Sequence, residues 1–357
     1  MQPDGTKRRF SLKNWFVTRR RWQRRVVYVL GIILALFLLH TLVERLIPEV
    51  KDPRYGVSFS VKYADELGVD WQDNFTALLD DMGIRRFRLM SHWDTIEKEQ
   101  GSFSFDDLDW QMNEAHKRGA KVSLAIGLRQ PRWPECHQPE WYSRLGSAEA
   151  KEKALMTFLR TTVQRYRNHP ALESYQLENE ALNRHFGTCT AEDIDQQRLS
   201  REFAEVKRTD APRPIYMSLS DQHGLPLGVP VPDKYGFSVY RTVWNDKFGP
   251  INAYVTYPTP VWYHRLRAQM ISMMHGKEIF IHELQLEPWG PEATKDLSKE
   301  EQDKSMDLAQ ISTNVRFARK IGAQDIDLWG GEWWYWRKTI HNDPSVWEAV
   351  KAELARD

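Results

Sequence analysis

From Tyr55 onward, short apolar runs alternate with stretches in which apolar residues recur at every third or fourth position. The short runs are typical of buried strands, and the longer spacing is typical of helices with one buried face. The apolar runs predict eight strands, at Tyr55–Ser60, Ile84–Met90, Lys121–Gly127, Leu172–Asn179, Pro214–Leu219, Tyr235–Tyr240, Glu278–Glu283 and Asp325–Trp329. The helical spacing predicts helices at about Asp70–Gly83, Asp106–Gly119, Lys151–Tyr166, Ala191–Lys207, Val261–His275 and Ser305–Ile321.

Strands that alternate with helices favour a parallel sheet, and eight such units within about 300 residues favour closure into a (β/α)8 barrel. The weakest unit is residues 220–233, SDQHGLPLGVPVPD, which is too rich in Gly and Pro for a helix. An open, doubly wound sheet therefore stays as an alternative. It is less favoured because no G-x-G-x-x-G or phosphate-binding loop follows the first strand. The predicted fold class is α/β, a TIM barrel over residues 54–357 preceded by a single transmembrane helix.

The helix before the barrel is predicted from an uncharged run at residues 26–43. As a helix of 18 residues it would be about 27 Å long, just enough to cross a bilayer core. Nine Lys and Arg residues against Asp4 give residues 1–25 a charge of +8, so the chain's net +1 leaves −7 on the remainder. Because basic flanks stay in the cytoplasm, we expect a cytoplasmic tail at 1–25, a membrane anchor, a stalk at 44–53 and an extracytoplasmic barrel.

A cleaved signal peptide is the alternative to the anchor. It is less favoured because the basic region is long and no A-x-A pattern follows the apolar run. The same charge split argues against nucleic-acid binding, since only the tail is strongly basic. No H-E-x-x-H, paired C-x-x-C or G-x-S-x-G pattern is present, so the sequence indicates no metal, no cofactor and no serine nucleophile. The oligomeric state stays open.

Two glutamates stand at the carboxyl ends of predicted strands, where TIM barrels collect their functional residues. Glu180 follows the fourth strand and Glu283 ends the seventh. Glycoside cleavage needs two carboxyl groups, one protonated and one ionised, and unlike surroundings can separate their pKa values. The pair therefore indicates glycosidase chemistry.

The ordered set of motifs around these glutamates resembles the clan A glycoside hydrolases. The similarity lies in Asn179-Glu180, in Glu283, in the segment HWDTIEKEQGSFSFDDLDW after strand two, and in HELQLEPWG and DLWGGEWWYW. It covers nearly all of residues 54–350. The resemblance implies a retaining double displacement on a β-linked oligo- or polysaccharide, with Glu180 as acid/base and Glu283 as nucleophile.

The resemblance also implies substrate-binding roles. Asn179 would bond the sugar 2-hydroxyl, Arg88 would orient the nucleophile, Tyr240 would hydrogen-bond it, and Trp329 would form the floor under the sugar. The sequence departs from the clan at Glu178, where an aromatic residue is common, and at Ala181, where Pro is usual. Arg129 or Gln130 occupies the place of a strand-three His.

Several of these residues admit another interpretation. Glu178 shares a strand face with Glu180 and could be mistaken for the acid. Arg88 could pair with another acid, and Glu287 and Glu332 could bind substrate or form loop salt bridges. The chain has 15 Trp, four of them in residues 329–336, and these could serve as core residues or as sugar platforms. Further platform candidates from other loops are Trp93, Trp133 and Trp289.

The two cysteines, Cys136 and Cys189, follow strands three and four and so lie in adjacent loops of the predicted barrel. In an oxidising compartment this placement predicts a disulfide, with two free thiols as the alternative. The sequence as a whole predicts a membrane-anchored retaining glycoside hydrolase. A catalytically silent glycan-binding or scaffolding barrel and a transglycosylase that uses the same site are the rival interpretations.

Overall fold

The computed structural model describes residues 21–184, 186–219, 224–227, 230–246 and 252–356. The chain forms two compact units, residues 1–48 and 49–357. The described part of the first unit is helix α1, Arg21–Leu46. It is long and apolar enough to cross a membrane, with a mean hydropathy of 2.6 over its most apolar window. The single N-terminal apolar helix is thus confirmed and extends beyond residues 26–43 at both ends, while residues 1–20 of the predicted tail lie outside the described residues.

The second unit is a closed barrel of eight parallel strands, which confirms the predicted fold class. In the order around the barrel, each strand pairs with the next and the last pairs with β1. The barrel strands are β1 (Arg54–Phe59), β2 (Arg86–Met90), β3 (Lys121–Ile126), β4 (Leu172–Leu177), β5 (Ile215–Ser218), β6 (Lys234–Val239), β9 (Glu278–Gln285) and β10 (Asp325–Trp329). All eight strands predicted from the apolar runs are present.

Helices surround the barrel. Those that follow its strands are α2 (Val61–Leu67), α3 (Trp71–Asp80), α4 (Trp93–Ile96), α5 (Asp106–Lys117), α6 (Ala148–Tyr166), α7 (Gln196–Thr209), α8 (Val261–His275), α9 (Lys299–Asp303), α10 (Leu308–Ile321), α11 (Gly331–Thr339) and α12 (Ser345–Leu354). Short 3₁₀ helices lie at Glu140–Arg144, Ala191–Asp193 and Thr294–Asp296.

Helix α3 shows how local sequence and packing act together. The Asp70 carboxylate accepts hydrogen bonds from the backbone N–H groups of Gln72 and Asp73, both at 2.9 Å, and so caps the start of the helix. The buried face of the helix presents Phe75 to Phe59 of β1 and to Phe87 of β2, with ring centroids 5.1 and 4.6 Å apart. The spacing that predicts the helix therefore also fixes its contact with the barrel wall.

The structure contains several elements that the apolar pattern does not predict. An antiparallel hairpin, β7 (Thr242–Asn245) with β8 (Ala253–Thr256), is inserted after β6. Helices α2, α4, α9, α11 and α12 are also additional, and the predicted helix at Ala191–Lys207 is divided into a 3₁₀ turn and α7. Between β5 and β6, the described residues 224–227 and 230–233 contain no helix, as the Gly- and Pro-rich composition indicates.

The predicted stalk, residues 44–53, includes parts of both compact units. Its first residues, 44–46, continue helix α1, whereas the part from Glu49 belongs to the barrel unit. There the backbone N–H of Val50 donates to the carbonyl of Arg319 at 2.9 Å, and Gln324 Nε2 donates to the carbonyl of Asp52 at 2.6 Å. The segment before β1 is therefore held by hydrogen bonds along the barrel.

The predicted disulfide is present between Cys136 and Cys189, whose Cα atoms are 5.3 Å apart. It joins the loop after β3 to the loop after β4, at the carboxyl-terminal mouth of the barrel. The backbone N–H of Thr188 also donates to the carbonyl of Pro134 at 3.0 Å. The two loops therefore form one cross-linked wall of the mouth.

We predict that replacing both cysteines with Ser lowers the free energy of unfolding. A cross-link between residues 53 apart restricts the unfolded chain by about 4 kcal/mol in the chain-entropy treatment. The measurement is thermal unfolding of the wild type and the double variant, each with and without reductant. Reductant should lower the melting temperature of the wild type alone. An equal melting temperature for all four samples would contradict the prediction.

Candidate active site

Glu283 lies on β9 at the mouth of the barrel and is almost fully buried. Its Oε1 accepts a hydrogen bond from Arg88 Nη1 at 2.9 Å, and its Oε2 accepts one from the Tyr240 hydroxyl at 2.8 Å. His282 Nδ1 lies 3.3 Å from Oε1. Burial alone would raise the pKa of Glu283, but His282 and the Arg88 guanidinium outweigh burial and lower that pKa below its ordinary value. Glu283 is therefore an ionised carboxylate held at both oxygens.

Glu180 follows β4 and has a different environment. Its Oε2 accepts a hydrogen bond from Asn183 Nδ2 at 2.7 Å, and its Oε1 accepts one from the Ser238 hydroxyl. Burial, and then the negative charge of Glu283, raise the pKa of Glu180 to about 7. A carboxyl group with that pKa can hold a proton near neutral pH and release it again.

Ser238 links the two carboxyl groups. Its Oγ contacts Glu180 Oε1 and lies 3.0 Å from His282 Nε2, while the other ring nitrogen of His282 faces Glu283. Burial lowers the pKa of His282, with the Glu283 charge acting in the opposite direction. The His282 imidazole and the Ser238 hydroxyl thus lie between the carboxyl groups of Glu180 and Glu283.

Asn179 is held from both ends of its carboxamide. Its Oδ1 accepts a hydrogen bond from Arg88 Nη2 at 2.7 Å, and its Nδ2 donates to Glu135 Oε2 at 3.0 Å. Gln176 Nε2 and Ser218 Oγ also donate to Oδ1, at 3.2 and 3.3 Å. The structure therefore brings five of the predicted site residues into one network: Glu180, Glu283, Asn179, Arg88 and Tyr240.

Glu135 is a third buried carboxyl group of this network, and the sequence analysis does not identify it. It lies in the loop after β3, and Arg129 Nε is 3.5 Å from its Oε2. The pKa of Glu135 is raised to about 8: burial raises it most, Arg129 lowers it, and the charges of Glu283 and Glu180 also raise it. Its one signal in the sequence is its position next to Cys136, a cysteine already assigned to the mouth.

Glu178 does not share the environment of Glu180. Its carboxylate accepts hydrogen bonds from the backbone N–H groups of Leu128 and Arg129, at 2.8 and 2.7 Å. A side chain at Gly127, which has φ +115°, would come within 2.6 Å of that carboxylate. Glu178 therefore stabilises the loop after β3. These hydrogen bonds explain the presence of a buried carboxylate at this position without a role as the catalytic acid.

Arg132 occupies the ring face of Trp329. Its guanidinium carbon is 4.0 Å from the Trp329 ring centre and 3.8 Å from that of Tyr63. The same guanidinium pairs with Glu287 and, at 2.9 Å, with Glu332. Glu287 and Glu332 thus belong to a buried ion-pair cluster, and the face of Trp329 that Arg132 covers is closed to a sugar in this conformation.

The other predicted platforms differ in accessibility. Trp133 is 64% exposed, and its ring contacts Phe186, which in turn contacts Trp289. Trp289 also packs edge-on against Tyr240, with ring centres 5.3 Å apart, so this aromatic row reaches the Glu283 carboxylate. By contrast, Trp93 has no exposed surface and packs among Trp141, Tyr142 and Phe158, so it offers no ring face to a ligand.

The tryptophans of the segment GEWWYW lie in helix α11 and pack into the interior. Trp333 and Trp334 have no exposed surface; their indole N–H groups donate to Gln302 Oε1 and to the carbonyl of Leu286. These two residues are therefore core residues and not sugar platforms, which is one of the two alternatives that the sequence leaves open. Within the described ranges, no group of three or more His, Cys, Asp or Glu residues is arranged to hold a metal ion.

No protein-family model and no curated protein matches the sequence. Solved structures do match the barrel. A xylanase from Cellvibrio japonicus in complex with xylopentaose has a TM-score of 0.57 at 15% identity, covering 87% of this chain and 68% of that one. A GH5_18 protein from Streptomyces cattleya in complex with GlcNAc has a TM-score of 0.55 at 12% identity, covering 86% and 82%.

An exo-β-1,4-mannosidase from Opitutaceae bacterium strain TAV5 matches with a TM-score of 0.53 at 13% identity. The match covers 78% of this chain and about half, 51%, of the mannosidase. At these identities the similarity shows the fold. The barrel architecture expected from the resemblance to clan A glycoside hydrolases is thus confirmed, and the chemistry has to be argued from the residues of this chain.

Proposed function

We propose that this chain is a retaining glycoside hydrolase that cleaves a β-linked glycan and is anchored in a membrane by helix α1. The observation that carries the proposal is the pair of buried carboxyl groups at the barrel mouth with opposite pKa shifts. The pKa of Glu180 is raised to about 7, whereas that of Glu283 is lowered. A proton donor beside an ionised carboxylate is the arrangement that glycoside cleavage requires.

The contacts support a role for each group in a double displacement. Glu180 would donate its proton to the glycosidic oxygen while a Glu283 oxygen bonds to the anomeric carbon and the bond to the leaving sugar breaks. Glu180, now ionised, would then take a proton from water, whose oxygen displaces Glu283 from the sugar. His282 and Arg88 lower the pKa of Glu283, and Arg88 and Tyr240 each donate a hydrogen bond to one of its oxygens.

The aromatic row supports a glycan as the substrate. Trp133, Phe186 and Trp289 lie in series next to Tyr240, and aromatic faces stack on the C–H faces of sugars. Trp133, the most exposed of the row, would bind a sugar unit at the outer edge of the cleft. The solved structures with similar barrels include proteins described as a xylanase and a mannosidase, which agrees with this substrate class.

We predict that Glu180→Gln and Glu283→Gln each lower kcat/KM on aryl β-glycosides by a factor of about 10³ or more, since each removes a group that acts in the transition state. The measurement is turnover over a panel of aryl glycosides, with the exposed Glu99→Gln as the control that keeps wild-type activity. NMR of the first-formed product should show the β-anomer. Wild-type rates in both variants would contradict the catalytic assignment, and an α-anomer would contradict retention.

We predict that kcat/KM falls as the pH rises through about 7. The first step needs Glu180 protonated, and its raised pKa places the loss of that proton there. Glu283 stays ionised below the ordinary glutamate range, so activity should persist on the acid side. The measurement is a pH–rate profile. Glu180→Gln should remove the alkaline limb and Glu135→Gln should keep it; a limb near pH 7 that survives in Glu180→Gln would contradict the assignment.

The anchor proposal rests on helix α1 and on the charge that precedes it. The basic block of residues 1–25 favours a cytoplasmic N-terminus, and the disulfide at the barrel mouth suits an oxidising compartment on the other side. The glycan would then be met outside the cytoplasm.

We predict that external protease digests the barrel in right-side-out membrane vesicles and spares the tail and helix. Replacing Arg19, Arg20, Arg21, Arg24 and Arg25 with Gln should weaken this orientation, because the positive flank sets it. The measurement is immunodetection of tags at the two ends before and after digestion, and intact mass of the purified chain. A soluble product that begins after residue 43 would instead show a cleaved signal peptide.

A further inference from the structure

Glu135 has contacts that no step of the proposed reaction uses. It is a carboxyl group with 4% of its surface exposed, in a loop at the mouth, close enough for its pKa to respond to both Glu180 and Glu283. A buried carboxyl group is costly unless hydrogen bonds compensate for its desolvation. Its partners, Asn179 and Arg129, therefore indicate what it does.

The first partner leads to Glu283. Glu135 Oε2 accepts a hydrogen bond from Asn179 Nδ2 at 3.0 Å, and Asn179 Oδ1 accepts one from Arg88 Nη2 at 2.7 Å. Arg88 in turn holds Glu283 at 2.9 Å. Since Arg88 fixes the oxygen of the carboxamide and Glu135 fixes its nitrogen, the two contacts together set the plane of the Asn179 side chain.

The second partner leads to Glu180. Arg129 Nε lies 3.5 Å from Glu135 Oε2, and its Nη1 donates to the carbonyl of Asn183 at 2.9 Å. The Asn183 side chain donates to Glu180 Oε2 at 2.7 Å. Glu135 thus stands where two chains of contacts meet, one ending at each carboxyl group of the candidate pair.

The surrounding loops hold Glu135 firmly in place. It has φ +71°, in the left-handed region, and it precedes the disulfide-bonded Cys136. Gly187 of the partner loop packs against it so closely that a Cβ at Gly187, which has φ +89°, would lie 2.8 Å from the Glu135 Cβ. Non-glycine residues keep such a backbone conformation only where the surrounding structure compensates for its strain, so the contacts of the cross-linked wall hold Glu135 in a fixed position.

We propose that Glu135 is a positioning residue that holds the Asn179 carboxamide in the orientation needed to bond the sugar 2-hydroxyl. This proposal rests on the proposed glycosidase function and deepens it. An amide nitrogen carries two protons. Glu135 accepts one of them, which fixes the direction in which the other points. The Cys136–Cys189 cross-link acts in the same sense, because it fixes the loop that carries Glu135.

The test is a double-mutant cycle between Glu135→Leu and Asn179→Ala, with an aryl glycoside and its 2-deoxy counterpart as substrates. Losing one hydrogen bond that orients Asn179 should lower kcat/KM of Glu135→Leu about tenfold on the 2-hydroxy substrate. The same variant should stay within about twofold of wild type on the 2-deoxy substrate, and the loss should vanish in the Asn179→Ala background. Glu135→Gln keeps an acceptor at this position and should restore most of the activity.

The proposal would be overturned if Glu135→Leu lowered kcat/KM equally on both substrates, or if it lowered kcat/KM as much in the Asn179→Ala background as in the wild type. A merely structural defect would have such an effect, because it does not depend on the 2-hydroxyl of the substrate. Glu180→Gln and Glu283→Gln test the proposed function separately. Crystal structures of the wild type and Glu135→Leu give a second measurement that needs no activity. Rotation of the Asn179 side chain away from Arg88 supports the proposal, and an unmoved Asn179 that keeps its 2.7 Å contact overturns it.

Discussion

The guanidinium of Arg88, enclosed inside the barrel with no exposed surface, is the interaction on which the candidate site depends. A buried cation loses its hydration, and the cost is on the order of several kcal/mol unless partners of opposite charge and polarity surround it. Here four partner groups come from three parts of the barrel wall: Ser58 on β1, the His282 carbonyl and Glu283 on β9, and Asn179 after β4. One side chain therefore joins three parts of the mouth and, together with His282, lowers the pKa of Glu283. Burial and the Glu283 charge raise the pKa of Glu180, which accepts hydrogen bonds from neutral side chains, whereas His282 and Arg88 lower the pKa of Glu283. Arg88 therefore helps to move the two pKa values apart.

Backbone strain is concentrated in the loops around this cation. Arg132, Glu135, Glu178 and Glu180 all adopt positive φ angles without being glycine. Such conformations persist only where surrounding contacts compensate for them. Each position has such contacts. Glu178 accepts two backbone N–H groups, and the backbone N–H of Glu180 donates to Ser218 Oγ at 2.7 Å. Arg132 is enclosed by two rings and two carboxylates, and the disulfide follows Glu135. The rigid mouth is thus built from polar contacts and one covalent cross-link on an apolar barrel.

The elements that the sequence predicts well are those whose physical cause is periodic or local. All eight strands follow from apolar runs, and the start of helix α3 follows from the Asp70 cap. The hairpin β7–β8 is missed because its short strands are only partly buried and lie among polar residues. Helix α11 is missed because its tryptophans favour a sugar-binding surface in the sequence, whereas in the structure Trp333 and Trp334 are buried in the core.

By itself, the sequence determined the barrel, the apolar N-terminal helix, the adjacent loops that carry the two cysteines, and the place of Glu180 and Glu283 at the carboxyl ends of two strands, because strand order and periodicity fix which residues reach the mouth. Only the tertiary structure decided which side chains of the mouth meet. Glu135 is hydrogen-bonded to Asn179 of the candidate site, Arg132 covers a face of Trp329, and Trp93 is buried in the core. The reason is that the directions of loop side chains are set by contacts between residues distant in the chain, such as those from the β3 loop to Asn179 and Glu287, and no repeating pattern along the sequence encodes them.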